Sequence, residues 1–247
     1  MTSEGTGFGI DIGGTGTKGA PVDLADGSLR GERFRIDTPQ PATPDALADV
    51  CARIVDHFDD VPGTIGVAVP AVVQHGVART AANIDEAWID TDVDALFTER
   101  LGREVHVVND ADAAGIAEAR YGAARDRDGL VCLLTLGTGI GSALLLDGRL
   151  VPNSELGHLE IDGRIAEKWA ATSVRNAEDL SWQEWAERLQ VYFERVERLV
   201  SPDLFVVGGG VSKNADQFLP LLDLRTEIVV AEHRNNAGII GAATLTA

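Results

Sequence analysis

Apolar positions recur along the chain in two patterns, short continuous runs and longer stripes at helical spacing. The runs predict buried strands, and the stripes predict amphipathic or buried helices. Strands are expected at 64–70, 105–109, 129–136, 142–146, 204–207 and 227–230. Helices are expected at 45–58, 93–101, 110–124, 181–200 and 237–245, with Leu189, Val196 and Leu199 on the inward face of the fourth. This alternation predicts the α/β class.

One local pattern occurs twice: an apolar strand, a Gly-Thr-Gly turn and a second apolar strand. The two copies lie at 11–18 and 135–142. Each copy predicts a hairpin, and the first hairpin continues into a third antiparallel strand over 29–36. Although no sequence repeat is detectable, the pattern predicts a duplicated architecture of two α/β domains with a cleft between them. We place the domains at 1–108 and 109–247, with the terminal helix able to pack back on the first.

A strand-to-helix junction at Asn109-Asp110 is the centre of the predicted site. An apolar run ends there and an Ala-rich segment follows, so both polar side chains lie at the carboxyl end of a strand, where open α/β sheets bind ligands. One interpretation is that Asp110 only caps the helix. The other is that Asp110 is a general base toward a hydroxyl nucleophile, because nothing suggests a phosphate beside it.

The two glycine-rich turns are candidate anion sites. Glycines expose backbone N–H groups without side chains in the way, and successive N–H groups form a concavity that binds phosphate. The candidates are Gly13, Gly14, Thr15, Thr17 and Lys18 in the first turn, Gly137, Thr138 and Gly139 in the second, and Gly208, Gly209 and Gly210 downstream. Neither turn is a Walker motif or a convincing dinucleotide fingerprint, and each alone is also consistent with a plain tight turn.

Acidic residues near these turns indicate a metal and a sugar. Asp11 would repel a phosphate unless a cation or water lies between them, which implies Mg²⁺ bound to Asp11 directly or through water. One loop, 155–160, places Glu155, Glu160 and the imidazole of His158 close together, and with Asn109 they suit the vicinal hydroxyls of a sugar. No Cys-x-Cys and no nearby histidine accompany His158, so no zinc site is expected.

Composition narrows the function class. The 247 residues suffice for two modest domains, and a formal charge of −18 argues against a nucleic-acid partner. Cys51 and Cys132 lie in apolar patterns, and no membrane-spanning run or signal segment is found, so we expect a reduced, cytoplasmic protein with no membrane partner. The scarcity of lysine (Lys18, Lys168 and Lys213) beside abundant Asp and Glu suggests adaptation to high salt.

Taken in order, these motifs resemble those of the ROK family of sugar kinases. They read Asp11-Ile-Gly-Gly-Thr, Val-Asn109-Asp110-Ala, Leu136-Gly-Thr-Gly-Ile-Gly, Glu155-Leu-Gly-His158 and Val207-Gly-Gly-Gly. The resemblance covers nearly the whole chain and implies an actin-like, hexokinase-like fold, which is a ribonuclease H-like duplication. Two features depart from the family. Residues 161–167 stand where most members have a Cys-x-Cys-Gly-x-x-Gly-Cys zinc cluster, and the helix-turn-helix domain of the repressor members is not seen.

The resemblance also implies a role for each matching residue. Asp110 is the expected catalytic base. The expected sugar contacts are Asn83, Asn109, Glu155, His158 and Glu167, the last aligned with a carboxylate just beyond the family's zinc cluster. Asp11 and the two glycine turns are expected near the transferred phosphate, and 208–210 near the far end of the donor. A homodimer is a further expectation.

Segments 83–88, 155–160 and 202–213 most resemble family members that use inorganic polyphosphate. We therefore expect phosphoryl transfer from polyphosphate, and from ATP as a second donor, to the 6-hydroxyl of glucose. A polyanion approaching an acidic protein needs a local basic track. The candidates are Lys18, Arg30, Arg33, Arg35, Arg149 and Arg164. The alternative is that these are solvated side chains paired with local acids.

Two other functions stay open at this point. One is a strictly ATP-dependent glucokinase or related hexose kinase with the same architecture. The other is a sugar-sensing protein that binds without catalysis, although the retained Asp110 argues against it.

Overall fold

The computed structural model describes residues 5–82 and 84–246. The chain divides into two compact units, of which the first runs to Ala117 and includes the C-terminal segment from Asn236. The second unit is Glu118–Asn235. This division lies inside a helix, nine residues beyond the predicted one at 108/109.

The strands, numbered in chain order, are β1 Thr6–Ile12, β2 Gly16–Asp23, β3 Phe34–Asp37, β4 Thr64–Val69, β5 Val73–Gln74, β6 Val77–Ala78, β7 Glu104–Asn109, β8 Leu130–Leu136, β9 Ile140–Leu146, β10 Arg149–Val151, β11 Glu160–Ile161, β12 Arg164–Ile165, β13 Leu204–Gly208 and β14 Glu227–Val230. The α-helices are α1 Pro44–Val55, α2 Val93–Leu101, α3 Asp110–Tyr121, α4 Glu167–Ala170, α5 Thr172–Ala177, α6 Trp182–Val200 and α7 Ala237–Thr244. Short 3₁₀ segments lie at Glu86–Trp88, Leu156–His158, Gly210–Gln217, Leu219–Leu221 and Arg234–Asn236.

The two large sheets have the same topology. The order in the first is β3-β2-β1-β4-β7 and in the second β10-β9-β8-β13-β14. In each, the first three strands form an antiparallel meander and the last two run parallel to the central strand. The duplication predicted from the two Gly-Thr-Gly hairpins is therefore confirmed. In both sheets the glycine turn joins the central strand to its antiparallel neighbour.

The predicted third strand is shorter than its polar–apolar alternation suggested. Regular pairing with β2 covers only Phe34–Asp37, and Leu29 makes an isolated bridge to Val22. Gly31 has a φ of 110°, a conformation that ordinary strand residues do not adopt. The prediction that the strand begins at residue 29 is therefore wrong.

Helix α7 packs against the central strands of the first sheet. Gly9 of β1 and Gly66 of β4 are register partners, and a Cβ on either would overlap the backbone of α7. Two paired glycines thus let the helix backbone lie directly on the sheet. This contact joins the C-terminal segment to the first unit.

Helix α6 covers the second sheet with an apolar stripe. Trp185, Leu189, Phe193 and Val196 are fully buried, and burial contributes about 1.5–3 kcal/mol for each large apolar side chain. Ser181 begins the helix with a capping box that includes Glu184. Leu199, predicted to face inward, is 58% exposed, whereas the next residue, Val200, packs against the core. That prediction is wrong.

None of the helices in residues 5–82 and 84–246 combines the length and apolar character needed to span a bilayer.

Candidate active site

The predicted site residues fall into two groups, one in each unit. Asp11, the first glycine turn, Asn109 and Asp110 belong to the first unit. The second glycine turn, Glu155, His158, Glu167 and 208–210 belong to the second unit. Asn83 lies outside the described residues.

Asn109 is the residue that caps α3. Its Oδ1 accepts hydrogen bonds from the backbone N–H groups of Ala111 at 2.9 Å and Asp112 at 3.1 Å. Its Nδ2 donates to the carbonyl of Ala71 at 3.2 Å, and the residue is only 8% exposed. An amide side chain with both ends bonded is rigid, so the junction between β7 and α3 is fixed by Asn109.

Asp110 is exposed at the first position of α3, immediately after β7. Its Oδ1 accepts from the N–H of Ala111 at 2.8 Å, a group that Asn109 also binds. The cap of α3 therefore does not depend on Asp110 alone, because Asn109 accepts two of the first N–H groups of the helix. A carboxylate at a helix N-terminus is stabilised in its charged form, which is the form a general base needs.

In the first glycine turn the carbonyl oxygens are bound by side chains. The carbonyl of Gly13 accepts from the Thr38 hydroxyl at 2.5 Å, and the carbonyl of Thr15 accepts from the Arg35 guanidinium at 2.9 Å. The N–H groups of Gly14 and Thr15 have no acceptor within the described residues. The side chains bind the carbonyl groups of the turn, and its N–H groups stay available to an anion, as an anion site requires.

The second glycine turn is built in the same way. Ser173, in α5, donates its N–H to the carbonyl of Gly137 at 3.1 Å and its hydroxyl to the carbonyl of Thr138 at 2.6 Å. The N–H groups of Thr138 and Gly139 find no acceptor in the part of the chain that is described. Both predicted phosphate turns therefore present backbone donors.

Thr17 does not belong with these donors. Side chains alternate along β2, and this alternation turns Lys18 outward and Thr17 into the core, where it is 0% exposed. Its hydroxyl is shielded from solvent and cannot reach a phosphate in this conformation. The prediction that Thr17 binds phosphate is wrong for this structure.

Asp11 forms an ion pair with Lys18, with 3.0 Å between Nζ and Oδ2. The two residues are register partners on β1 and β2, and their side chains are 17% and 21% exposed. Magnesium usually keeps several waters and binds proteins through one or two carboxylates together with substrate phosphates. A single partly exposed carboxylate such as Asp11 fits that mode. Among the described residues, no group of three His, Cys, Asp or Glu side chains is arranged to hold a metal by itself.

Glu155, His158 and Glu167 are brought together in the second unit. The Nδ1 atom of His158 lies 3.7 Å from a Glu155 oxygen, and its Nε2 atom lies 3.8 Å from a Glu167 oxygen. The same Glu167 oxygen is 3.1 Å from Lys168 Nζ, and the other accepts from the N–H of Ile140 at 3.3 Å. Carboxylates on both sides of an imidazole supply acceptors and donors suited to adjacent sugar hydroxyls.

The carboxyl of Glu155 is electrostatically perturbed. Burial raises its pKa above the ordinary value, His158 opposes the rise and Glu167 adds to it. Gly139 connects this cluster to the second turn, because a Cβ there would overlap the Glu167 carboxylate. Residue 139 must therefore be glycine for Glu167 to keep its position.

The third glycine run follows β13 in the second sheet. Gly209 has a φ of 83° and lies against the backbone of Leu136, the last residue of β8. Gly208 pairs with Thr135 in the parallel register of β13 and β8. The run therefore adjoins the strand that leads into the second glycine turn, although Gly208 lies 71 residues after Gly137 in the sequence.

The predicted basic track is largely paired within the chain. Arg30 binds Asp23 at 2.8 Å, Arg35 binds Asp37 at 2.6 Å, and Lys18 binds Asp11. Arg33 donates to Asn236 at 2.8 Å, and Arg164 lies over the ring of Trp169 at 6.0 Å. For Arg30 and Arg35 the structure thus matches the alternative of exposed arginines paired with local acids. Arg149 is an exposed residue at the start of β10.

Several residues that shape the site were not predicted. They are Thr38 and Ser173, which bind the turn carbonyls, and Ser142, which bonds to the carbonyl of Ser154 beside Glu155. Each acts through a contact 12 or more residues away along the chain, so no local motif signals it.

Comparison with known proteins adds an independent observation. The sequence pattern of the ROK family matches residues 7–176. The chain is 50% identical over 243 residues to a polyphosphate glucokinase of Mycobacterium tuberculosis (strain ATCC 25618 / H37Rv), covering 98% of this chain and 91% of that protein.

Solved structures show the same likeness. The crystal structure of the inorganic polyphosphate/ATP-glucomannokinase from Arthrobacter sp. strain KM matches with a TM-score of 0.94 and 57% identity over 97% of both chains. A ROK family glucokinase from Streptomyces griseus, in complex with glucose and AMPPNP, matches with a TM-score of 0.84 at 24% identity over 98% of this chain and 99% of that one. The fold is therefore the actin-like, hexokinase-like duplication expected from the motifs.

Proposed function

The chain belongs to the ROK family, and from that membership we propose that it transfers a phosphoryl group from inorganic polyphosphate, or from ATP, to the 6-hydroxyl of glucose. The observation that carries the proposal is the near full-length similarity to proteins named for polyphosphate-dependent sugar phosphorylation. The exposed carboxylate of Asp110 and the two turns of free backbone donors supply the groups that such a transfer needs.

In the proposed reaction Asp110 accepts the proton of the 6-hydroxyl as the oxygen attacks the terminal phosphorus. The bond from that phosphorus to the bridging oxygen of the donor breaks, and the shortened donor leaves with the electron pair. General bases contribute about 10²–10⁴-fold to such steps. Asn109 holds the start of α3 rigid, which keeps the carboxylate in place.

Asn109, Glu155, His158 and Glu167 are the proposed contacts to the sugar. One N–H of the Asn109 amide remains for a hydroxyl after the bond to Ala71, and the two glutamates accept hydrogen bonds from neighbouring hydroxyls. Asn83 is proposed as a further contact on the family resemblance alone.

The phosphates are proposed to lie against the N–H groups of Gly14, Thr15, Thr138 and Gly139. Backbone donors fixed in advance stabilise the charge that spreads over the phosphoryl oxygens in the transition state. Asp11 would hold Mg²⁺, which neutralises phosphate charge when bound. Lys18 places a cation beside the same carboxylate, and the 208–210 run serves the far end of the donor.

The deciding experiment measures glucose phosphorylation with polyphosphate and with ATP side by side. We expect transfer from polyphosphate. Transfer from ATP alone would identify a strictly ATP-dependent glucokinase, and glucose binding without transfer from either donor would identify a sugar-sensing protein. Transfer from ATP alone is the main alternative. The arginines near the first hairpin are paired with local groups, so fewer unpaired cations are left to bind a polyanion.

We also propose that the protein is a homodimer, which sedimentation analysis would test.

We propose a cytoplasmic location, where the phosphorylated sugar would be consumed. Cys51 and Cys132 are free and buried, and burial raises the pKa of the Cys132 thiol to about 12. Thiols kept in that state are unreactive.

A further inference from the structure

One buried hydroxyl holds the backbone on both sides of Glu155. Ser142, in β9, is 1% exposed and pairs with Leu134 of β8, so it belongs to the framework of the second sheet. Its Oγ donates to the carbonyl of Ser154 at 2.7 Å and accepts from the N–H of Leu156 at 2.9 Å. The residues immediately before and after Glu155 are therefore bonded to the same atom.

Further contacts connect this loop and Glu167 to the same strand. The Ser154 hydroxyl donates back to the carbonyl of Ser142 at 3.0 Å. Ile140 lies two residues before Ser142 in β9, and its carbonyl is so close to Gly157 that a Cβ on Gly157 would overlap it. The N–H of Ile140 also donates to Glu167. Ile140 and Ser142 of β9 thus hold the backbone of the loop around Glu155 and contact the carboxylate of Glu167.

The geometry points to Ser142 as a positioning residue that orients the Glu155 carboxylate for glucose. This inference rests on the proposed function and names a residue outside the motifs that carry it. The loop between β10 and β11 turns into the 3₁₀ segment Leu156–His158 at residue 155, where φ is −123° and ψ is 53°, and the Glu155 carbonyl accepts from the N–H of His158 at 3.0 Å. Without the hydroxyl, the Ser154 carbonyl and the Leu156 N–H lose their partner. The peptide before Glu155 then loses this anchor, whereas the peptide after it keeps the bond from the His158 N–H to the Glu155 carbonyl.

The hydroxyl of Ser142 differs in its role from the hydroxyl of Ser154. The Ser154 hydroxyl makes a bond to Ser142 but none to either peptide that flanks Glu155. Ser154→Ala therefore removes one bond from the same pair and leaves the two bonds that the Ser142 hydroxyl makes on either side of Glu155. It is the matched control for Ser142→Ala.

The test is direct titration of glucose, without a donor, into the wild-type protein and the variants. We expect Ser142→Ala to weaken glucose binding about tenfold and Ser154→Ala to change it less than about twofold. The KM for the phosphoryl donor should stay within about twofold in both. Equal glucose affinities in the two variants, whether both normal or both weakened, would overturn the inference.

A double-mutant cycle separates positioning from general loosening. If Ser142 acts through Glu155, then Ser142→Ala added to Glu155→Gln should weaken glucose binding by less than about twofold further. A full tenfold further loss in that background would show that Ser142 acts elsewhere. If Ser142→Ala does not fold, Ser142→Cys keeps the approximate volume, replaces a good acceptor by a poor one and gives the same comparison.

Failure of the inference and failure of the proposed function give different results. A wild-type protein that neither binds nor phosphorylates glucose overturns both the proposed function and the role of Ser142 in it. A wild type that does both, with an unaltered Ser142→Ala, overturns the positioning role alone.

Discussion

The amide of Asn109 caps helix α3 and leaves the carboxylate of Asp110 exposed beside it. Either residue type can cap a helix, and here the side chain of Asn109 binds two of the first N–H groups of α3. Asn109 accepts from Ala111 and Asp112 and donates to Ala71, whereas Asp110 accepts from the N–H of Ala111, a group that Asn109 also binds. The structural task and the chemical task are therefore separable by mutation.

Asp110→Asn should abolish most turnover without unfolding the protein. The amide keeps the size and the local bonding of the carboxylate but cannot accept the hydroxyl proton. We expect kcat to fall by about 10²–10⁴-fold while the glucose Kd changes little. Steady-state kinetics and glucose titration measure the two quantities. Near-normal kcat would remove Asp110 from the catalytic role.

Asn109→Ala should lower the free energy of unfolding, and Asn109→Asp should recover only the part of that loss that belongs to the cap. Loss of an N-cap costs about 1 kcal/mol, and leaving the buried carbonyl of Ala71 without its donor costs about 1–3 kcal/mol more. Aspartate restores the cap but not the amide donor. Urea unfolding of both variants gives the comparison. Equal stabilities for the alanine and aspartate variants would contradict the capping role.

The strands and helices were largely predictable because apolar spacing is a local property. The duplication also followed, since each glycine turn stands between apolar runs. Asn109 as the cap was harder to foresee, because Asn and Asp are equally good caps and the choice depends on which side chain β7 turns toward the helix. Side chains alternate along a strand, so an outward-facing Lys18 places Thr17 on the inward face. The prediction for Thr17 considered only its hydroxyl group and its nearness to the glycine turn.

The second half of the site shows what sequence reasoning missed. Glu155 and His158 share one loop, but their closeness to Glu167 depends on how that loop and α4 meet. Ser173 and Thr38 fix the carbonyls of turns that lie 35 and 25 residues earlier in the chain. Serines and threonines at such positions look like ordinary polar residues until the fold places them.

Gly139→Ala should disturb the sugar site as well as the phosphate turn. The added Cβ overlaps the Glu167 carboxylate, so that side chain must move away from Ile140 and His158. We expect glucose binding to weaken by about tenfold or more. Gly137→Ala is the comparison, because its Cβ would meet open space and should leave the glucose Kd unchanged. Unaltered glucose binding in Gly139→Ala would argue against the position assigned to Glu167.

Acidification should weaken glucose binding before ordinary glutamates titrate. Burial raises the pKa of Glu155 above its ordinary value near 4.5, so the carboxylate that accepts hydroxyl protons is lost at a higher pH than usual. The same shift means that the folded protein binds the proton more tightly than the unfolded chain. This group's contribution to the free energy of unfolding therefore falls as pH rises through the interval between its unfolded and folded pKa values.

The measurement is the glucose Kd from about pH 7.5 down to about pH 5, in the wild type and in Glu155→Gln. The wild type should lose affinity toward the acid end, and the variant should show a weaker but flatter profile. His158 and Glu167 face Glu155, and both remain in the variant. An identical acid dependence in Glu155→Gln would assign the titration to one of them.

Added salt should stabilise the protein, because a chain with a formal charge of −18 repels itself at low ionic strength. The screening length falls from about 10 Å at 0.1 M salt to about 3 Å at 1 M, so repulsion between exposed carboxylates weakens over that range. We expect the thermal midpoint to rise between these concentrations of KCl. Asp59 and Asp60 are exposed beyond the end of α1. Replacing both by Asn should raise the midpoint at low salt and reduce its increase with KCl. A midpoint that falls as KCl is added would refute the high-salt hypothesis, since attractive ion pairs would then outweigh the repulsion.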